Sequence, residues 1–353
     1  MSLRARNERG NLVAIQGEKV RLRDCFVPRN DKVFIVLRQL LIMIVEKLGR
    51  LAAAGKGIEY YYNGQSLRSR ILRVVFRLIN VKVRAGKPGF AERIKKVDVP
   101  RPPAKFLKNI SLSSKESLGR KVYTLTPKGI IPEKHILFFH GGAYVMNFTY
   151  FHWKLITKLV TATGCRITAP DYPLLPQYSY KERLQQAEQL YNDMLKHIEP
   201  ENIVLMGDSA GGNLALSLAQ KMACDGRPPK GQIILLSPWL DVSMSNPEMK
   251  EVEKRDPILS LDSKLGKMHA GDRSMKDFVV SPLYGDISDL GRISLFTGTD
   301  DVLNPDARLL KEKASAAGIS INYFEYRNMI HDWILFPIPE ADMSFKQVVG
   351  LLG

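Results

Sequence analysis

The stretch Ile203-Val204-Leu205-Met206-Gly207-Asp208-Ser209-Ala210-Gly211 decides the fold, because it puts a serine just after an apolar run. The apolar residues predict a buried strand, and residues 214–222 predict a helix after the turn. Glycines on both sides of the serine let strand and helix approach closely and allow the serine backbone a strained conformation. We therefore expect Ser209 to stand on a strand-to-helix turn, where its hydroxyl is a candidate nucleophile and the Ala210 N–H can stabilise an oxyanion.

Strand and helix patterns alternate in the same way from about residue 104 to the end of the chain. This alternation predicts an α/β protein with a mostly parallel sheet that is covered by helices on both faces. Eight strands are expected, near residues 106–112, 121–125, 136–139, 166–169, 203–206, 232–236, 293–296 and 321–326. The stretch 239–282 is longer than an ordinary crossover, so we expect an excursion there that adds to the cap over the site.

The composition is that of a globular protein with a sizeable core. The chain has 353 residues, of which 45% are hydrophobic. Its three cysteines, Cys25, Cys165 and Cys224, are widely spaced and predict neither a disulfide framework nor a zinc site. Residues 1–17 are polar and basic without an apolar core, so we expect no secretory signal and a cytoplasmic location.

The basic charge is concentrated in the first 100 residues. The net charge is +16, and residues 1–100 contain 22 Lys and Arg against 8 Asp and Glu. Residues 67–84 repeat arginine at helical spacing beside an apolar face, which predicts a basic amphipathic helix. The apolar run 33–45 is shorter than the roughly 20 residues that a membrane-spanning helix needs. We interpret residues 1–103 as a basic helical N-terminal cap, followed by a catalytic domain over 104–353.

The alternative for this basic segment is peripheral contact with an anionic membrane, at the inner membrane surface. Tyr60, Tyr61 and Tyr62 fit either reading, as cap packing or as an interfacial aromatic cluster. No nucleic-acid partner is expected, because no recognised binding motif accompanies the charge.

A nucleophilic serine needs a base to take its proton and a carboxylate to orient that base. Only His269 and His331 follow Ser209 in the sequence. His331 comes just after the last predicted strand, whereas His269 lies within the predicted excursion. His331 is therefore the better candidate for the base.

The acid is expected in the loop after the strand at 293–296. Spacing alone does not separate Asp300 from Asp301, and both remain candidates. Asp306 is expected in the first turn of the next helix, where a carboxylate stabilises the helix dipole. Asp208, beside the serine, is interpreted as a structural hydrogen-bonding residue.

A glycine pair follows the strand expected at 136–139. In His140-Gly141-Gly142-Ala143, successive backbone N–H groups can turn toward a developing oxyanion, and each such donor contributes about 3 kcal/mol to transition-state stability. The order of this loop, the serine turn, the acid loop and the final histidine is improbable by chance.

With these motifs together, the chain from about residue 106 onward resembles the hormone-sensitive-lipase-like branch of the α/β-hydrolase esterases. The motifs that carry the resemblance are His140-Gly141-Gly142-Ala143, Asp171-Tyr172-Pro173-Leu174-Leu175-Pro176, Gly207-Asp208-Ser209-Ala210-Gly211-Gly212, Ser237-Pro238-Trp239, Asp301-Val302-Leu303 and Met329-Ile330-His331. The resemblance implies the α/β-hydrolase fold and a carboxylic ester hydrolase that works through an acyl-enzyme.

The resemblance also implies a role for each site residue. Ser209 is the nucleophile, His331 the base and Asp301 the acid, because the family acid precedes a residue and then a leucine. The oxyanion hole falls on the N–H groups of Gly142, Ala143 and Ala210, with Gly141 in support. His140, Asp208 and Asp171 are structural residues near the site. Ala143 departs from the family pattern, which usually has a third glycine there.

The expected substrates are short to medium acyl or acetyl esters, which a lipid surface could present. One alternative is a lipase or lysophospholipase-like enzyme at a membrane surface, and another is a non-catalytic ligand-binding protein of this fold. No metal or organic cofactor is expected.

Overall fold

The structure is a computed structural model that describes residues 4–6, 12–14, 57–82 and 96–353. The apolar run 33–45 lies outside these residues. The strands are β1 Arg4–Arg6, β2 Leu12–Ala14, β3 Glu59–Tyr62, β4 Ile110–Ser117, β5 Arg120–Pro127, β6 His135–Phe139, β7 Arg166–Pro170, β8 Ile203–Asp208, β9 Ile233–Leu236, β10 Ile293–Gly298 and β11 Asn322–Tyr326. The α-helices are α1 Leu67–Leu78, α2 Tyr150–Thr163, α3 Tyr180–Leu195, α4 Ala210–Cys224, α5 Met249–Glu253, α6 Lys264–Ala270, α7 Asn304–Ala316 and α8 Pro339–Leu352.

A nine-stranded sheet forms the centre of the fold, in the order β3-β11-β10-β9-β8-β6-β7-β5-β4. Neighbouring strands run parallel from β3 to β7, and only the pairings of β5 with β7 and with β4 are antiparallel. Strands β1 and β2 pair antiparallel as a separate two-stranded sheet. The predicted α/β architecture with a mostly parallel sheet is confirmed.

Both faces of the sheet are covered, and the side chains of one strand alternate between two cores. On β6, Leu137 and Phe139 join the core under α3 and α4, whereas Ile136 and Phe138 join the core under α2 and α8. Central strands that are buried on both faces are continuously apolar rather than alternating. This is why the sequence of β6, His-Ile-Leu-Phe-Phe, has no polar face.

The expected count of eight strands was wrong by one, because β3 adds a ninth. The eight predicted strands correspond to β4 through β11. Strand β3 pairs in parallel with β11, and the Tyr60 and Tyr62 rings lie 5.7 and 5.3 Å from the ring of Tyr326. These tyrosines belong to the sheet edge, so the segment 1–103 is not wholly the helical cap that was expected. The pairing joins residues more than 250 positions apart, which no local pattern reveals.

Helix α1 begins at the expected residue, Leu67, and ends at Leu78. Its N-cap residue is Ser66, whose hydroxyl accepts a hydrogen bond from the Ser69 N–H at 3.2 Å. The excursion over 239–282 contains the short helices α5 and α6. In the part of the chain that the structure describes, no helix has the length and apolar character needed to cross a membrane.

Candidate active site

Ser209 occupies a strained turn between β8 and α4. Its φ of 51° and ψ of −117° are rare for a residue with a side chain. A Cβ on Gly211 would lie 1.9 Å from the Phe139 carbonyl oxygen, and one on Gly207 would lie 2.4 Å from the Gly211 backbone. Only glycine therefore fits at positions 207 and 211. The strand and the helix approach each other as closely as the sequence predicts.

Ser209, His331 and Asp301 lie within hydrogen-bonding distance of one another in a chain. Ser209 Oγ is 2.9 Å from His331 Nε2, and His331 Nδ1 is 3.0 Å from Asp301 Oδ2. The three residues follow β8, β11 and β10, whose carboxyl ends meet at one edge of the sheet. When Nδ1 keeps its proton and donates it to Asp301 in a hydrogen bond, the Nε2 lone pair is free to accept the serine proton.

The two neighbouring aspartates of the acid loop point to different partners. Asp301 is fully buried; one of its oxygens faces His331 and the other accepts the Leu303 N–H at 2.9 Å. Asp300 instead pairs with Arg73 and Arg255. The structure therefore separates the two residues that spacing left equivalent.

The other residues considered for the acid and the base lie in different surroundings. Asp306 is buried in the first turn of α7, where it accepts a hydrogen bond from Asn246 Nδ2 at 3.0 Å. His269 contacts Arg183 Nη2 at 2.8 Å through Nδ1 and stacks on the Tyr144 ring, with centroids 4.2 Å apart. Neither residue is brought to Ser209.

The glycine loop, residues 140–143, presents backbone N–H groups beside the turn that carries Ser209. Gly141 donates its N–H to Asp208 Oδ2 at 2.9 Å, so this group is already used. Among the residues that the structure describes, none accepts a hydrogen bond from the N–H of Gly142, Ala143 or Ala210. Gly142 has a φ of 108° and Ala143 a φ of 51°. The alanine therefore keeps the left-handed backbone for which glycine is normally used.

His140 and Asp208, which were expected to be structural, hold the glycine loop in place. The His140 ring stacks on Tyr172 with centroids 4.2 Å apart, and Tyr172 donates its hydroxyl to the His140 carbonyl at 2.5 Å. Burial, with the charge of nearby His152, lowers the pKa of His140 to about 3, so the ring is neutral. His152 also lies 3.0 Å from Asp208 Oδ2 through Nε2. Asp208 thus joins the glycine loop to α2.

Asp171 is more remote from the serine. It forms an ion pair with Arg120, which also donates to the Asp171 carbonyl through Nε at 3.2 Å. This pair fastens the end of β7 to β5 and does not contact Ser209.

Two further carboxylates, Asp332 and Asp256, lie near the candidate acid and base. Asp332 Oδ2 lies 3.1 Å from His331 Nε2, and the Asp332 N–H donates to Ser237 Oγ at 3.2 Å. Asp256 comes from the excursion and accepts the Val302 N–H at 2.9 Å. The sequence indicates the contact of Asp332, because this residue directly follows His331. No local pattern indicates the contact of Asp256, because it spans 46 residues.

The charges around His331 act against its burial. Burial lowers the pKa of His331, but the charges of Asp301 and Asp332 outweigh it and raise that pKa well above the ordinary value. Burial first, and then the charge of Asp301, raises the pKa of Asp256 to about 6. Burial likewise raises the pKa of Asp332 to about 6, although His331 opposes the shift. The site favours an imidazolium, the state that a base reaches after taking a proton.

Two cavities of about 320 and 510 Å³ open elsewhere on the described surface, and neither is lined by Ser209, Asp301 or His331. Only 6% of Ser209 is exposed. No group of His, Cys, Asp and Glu side chains within the described residues is arranged to hold a metal ion.

The chain is similar to known proteins over most of the sheet and the site. A family model described as the alpha/beta hydrolase fold matches residues 136–335. An esterase of Acinetobacter venetianus is 29% identical over 219 residues, which cover 60% of this chain and 72% of the esterase. A triacylglycerol lipase of Mycobacterium tuberculosis is 30% identical over 236 residues, 67% of this chain and 49% of the lipase, so the chain spans about half of that relative.

Solved structures share the same fold. The crystal structure of a hormone-sensitive lipase from a metagenome library superposes with a TM-score of 0.70 at 24% identity. The superposition covers 82% of this chain and 98% of that structure.

Proposed function

Because the chain belongs to the α/β-hydrolase fold family and is an esterase- and lipase-like hydrolase of the hormone-sensitive-lipase-like kind, we propose that it cleaves carboxylic esters with Ser209 as the nucleophile. His331 is the base and Asp301 the acid that orients it. The observation that carries the proposal is the pair of hydrogen bonds from Ser209 Oγ through the imidazole to Asp301, at 2.9 and 3.0 Å.

In the first half of the reaction, His331 Nε2 takes the hydroxyl proton while Ser209 Oγ attacks the ester carbonyl carbon. The carbonyl oxygen becomes an oxyanion, and the N–H groups of Gly142, Ala143 and Ala210 donate hydrogen bonds to it. When the C–O bond to the alcohol breaks, the proton on His331 passes to the leaving oxygen. The acyl group remains on Ser209 as an ester.

In the second half, water replaces the alcohol. His331 takes a proton from the water, whose oxygen attacks the acyl carbon, and then returns that proton to Ser209 Oγ. The free carboxylic acid leaves. Asp301 accepts the Nδ1 hydrogen bond throughout and stabilises the imidazolium that forms in each half.

We further assign short to medium acyl or acetyl esters as substrates and the cytoplasm as the site of action. Ser209 and His331 are both buried, at 6% and 4% exposure. Cys165 and Cys224 are free thiols, in keeping with a reducing compartment. A non-catalytic binding role is disfavoured, because all three triad positions are occupied by competent side chains.

The test compares hydrolysis of p-nitrophenyl esters of increasing acyl length by the wild type and by Ser209→Ala. Loss of the nucleophile is expected to reduce kcat about 10⁶-fold with the fold intact. Ser217→Ala is the matched control, because Ser217 is a buried serine on α4, the helix that begins directly after Ser209. Turnover by Ser209→Ala equal to that of the control would show that another residue performs the chemistry.

A second proposal concerns α1, which supports peripheral contact with an anionic membrane. This helix leaves large apolar side chains in solvent, and Arg68 and Arg77 are exposed beside them. The exposed apolar residues are Leu67, Ile71, Val74, Val75 and Leu78, with Ile79 at the C-cap. A helix that presents apolar and arginine side chains together suits the interface of an anionic bilayer.

Membrane contact extends the substrate class to esters that a lipid surface presents, as for a lipase or lysophospholipase. The test is sedimentation of the full chain with phosphatidylcholine vesicles and with vesicles that also contain phosphatidylserine, at low and high salt. Binding is expected only to the anionic vesicles and is expected to weaken with salt, because surface charges are screened. Equal binding to both kinds of vesicle would leave the plain cap interpretation.

A further inference from the structure

We propose that Arg73 of α1 is a positioning residue for the triad, because it ties the loop that carries Asp301 to the loop that carries His331. The inference rests on the proposed ester hydrolysis. It gives α1 a role in catalysis in addition to its exposed surface.

The contacts of Arg73 reach both loops from one guanidinium group. Its Nη2 forms an ion pair with Asp300, the residue before Asp301. The same nitrogen donates to the Asn328 carbonyl at 2.8 Å, three residues before His331. The Arg73 side chain is only 18% exposed and that of Asp300 only 3%. The pair is therefore shielded from the screening that weakens ion pairs at a surface.

The two loops also bond to each other at this point. The Asp300 N–H donates to the Met329 carbonyl at 3.0 Å, and the Asn328 N–H donates to Thr299 Oγ1 at 2.8 Å. Asn328 has a φ of 59°, so its carbonyl is presented from a left-handed turn. Arg73 bridges the same two loops from outside the sheet, and the distance from Asp301 to His331 depends on this junction.

Arg255 offers a natural comparison, because it binds the other oxygen of Asp300. Its Nε lies 2.9 Å from Asp300 Oδ1, but its side chain is 48% exposed. Arg255 reaches the Thr299 carbonyl on the acid loop and makes no described contact with the loop of His331. The charge of Asp300 is thus balanced by two arginines. Of these two, only Arg73 contacts both the loop of Asp301 and the loop of His331.

Helix α1 is itself held in place next to the catalytic loops. The Ser66 hydroxyl donates to Glu340 Oε2 at 2.9 Å, which fastens the start of α1 to α8. Near the other end, Arg77 Nη2 donates to the Arg255 carbonyl at 3.2 Å. These ties fix Arg73 relative to the sheet. A displacement of about 1 Å at reacting groups can cost about 100-fold in rate, so a modest shift of either loop would be measurable.

The experiment measures kcat and KM for a soluble p-nitrophenyl ester with Arg73→Met and Arg70→Met. Arg70 is on the same helix but exposed, so its substitution controls for the lost charge. We expect Arg73→Met to lower kcat about 10- to 100-fold with little change in KM, and Arg70→Met to match the wild type. Arg73→Lys is expected to recover part of kcat, because lysine restores the charge without the planar fork.

The second readout is the low-field proton resonance of His331 Nδ1–H in the hydrogen bond to Asp301. It is expected to move or broaden in Arg73→Met and to stay in place in Arg70→Met. Arg73→Met and Asp300→Asn both remove the Arg73–Asp300 ion pair, so the loss of kcat in the double variant should be smaller than the product of the two single losses.

Equal kcat for Arg73→Met and Arg70→Met would overturn the inference while leaving ester hydrolysis intact. If the wild type hydrolyses no ester, the proposed function fails, and the proton resonance still decides the inference: an unchanged signal in Arg73→Met overturns it. If Arg73→Met does not fold, Arg73→Lys and Asp300→Asn carry the same comparison.

Discussion

Helices α4 and α1 differ in how much of their surface is buried. In α4, which starts beside Ser209, twelve of the fifteen residues are buried. In α1, Ser69 is the buried residue, and the large apolar side chains mostly face solvent. Packing fixes α4, whereas α1 is fixed by polar ties at Ser66, Arg73 and Arg77 together with the core contacts of Leu72 and Phe76. The comparison indicates that the core holds the turn of the proposed nucleophile, whereas α1 contributes polar contacts to the loops at the site and an exposed surface.

The largest expected effect lies on the side of the core, at the acid of the triad. Asp301→Asn is expected to reduce kcat about 10⁴-fold, because an amide no longer stabilises the imidazolium or fixes its tautomer. Asp300→Asn, which weakens the ion pairs with Arg73 and Arg255, is expected to cost about tenfold, through a small displacement of the loop. Steady-state kinetics with p-nitrophenyl butyrate measures both. The reverse ranking would assign the acid to Asp300.

The two helices should also differ in their contribution to stability. Leu216→Ala, at a fully buried position of α4, is expected to lower the free energy of unfolding by about 2–5 kcal/mol through the cavity it leaves. Leu78→Ala, at a position that is 79% exposed in α1, is expected to change it by no more than about 0.5 kcal/mol. Urea unfolding curves measure both free energies, provided that the m-value is the same in the variants and the wild type. A cost at Leu78 as large as that at Leu216 would mean that α1 is buried in solution.

A smaller effect is expected in the pH dependence of hydrolysis. Only neutral His331 can accept the serine proton, so activity falls as pH drops through its raised pKa. Asp332 helps to raise that pKa, and its own pKa is raised to about 6, so it carries charge above about pH 6. Asp332→Asn removes this charge and should move the acid limb of kcat/KM to lower pH. An acid limb that stays in place or moves upward would rule out this electrostatic role.

The smallest expected effect on catalysis is on the side of α1. Leu78→Ser should leave the hydrolysis of soluble esters unchanged and weaken binding to anionic vesicles about tenfold, because burying a leucine contributes about 1.5–3 kcal/mol. Ile131→Ser is the control, since Ile131 is 94% exposed and lies outside α1. Similar losses for both variants would indicate nonspecific adsorption rather than docking through α1.

Local sequence patterns predicted the part of the molecule that packing controls. Apolar runs and their spacing indicated the strands β4 to β11, and the glycines around Ser209 predicted the turn that the structure contains. They could not predict β3, because the Tyr60 to Tyr62 run pairs with a strand at the other end of the chain. Three consecutive tyrosines are equally compatible with the edge of a sheet and with a cap.

The polar contacts were harder to predict for a related reason. Asp300 and Asp301 have identical side chains in adjacent positions, and only the direction of each carboxylate separates them. The helical spacing over residues 67–84 does not distinguish Arg73 from the other arginines of α1, although among the described residues of that helix it alone pairs with the acid loop. Such contacts depend on where a distant helix is anchored, which sequence spacing does not contain.

The central claim, that Ser209 is the nucleophile, is tested most directly by trapping it. The protein is treated with diethyl p-nitrophenyl phosphate, which transfers a diethylphosphoryl group to an activated serine, and is then digested for mass spectrometry. We predict a single added group on the peptide that contains Ser209, in step with complete loss of ester hydrolysis. Full hydrolysis after that peptide is labelled, or inactivation with the label on another residue, would contradict the account.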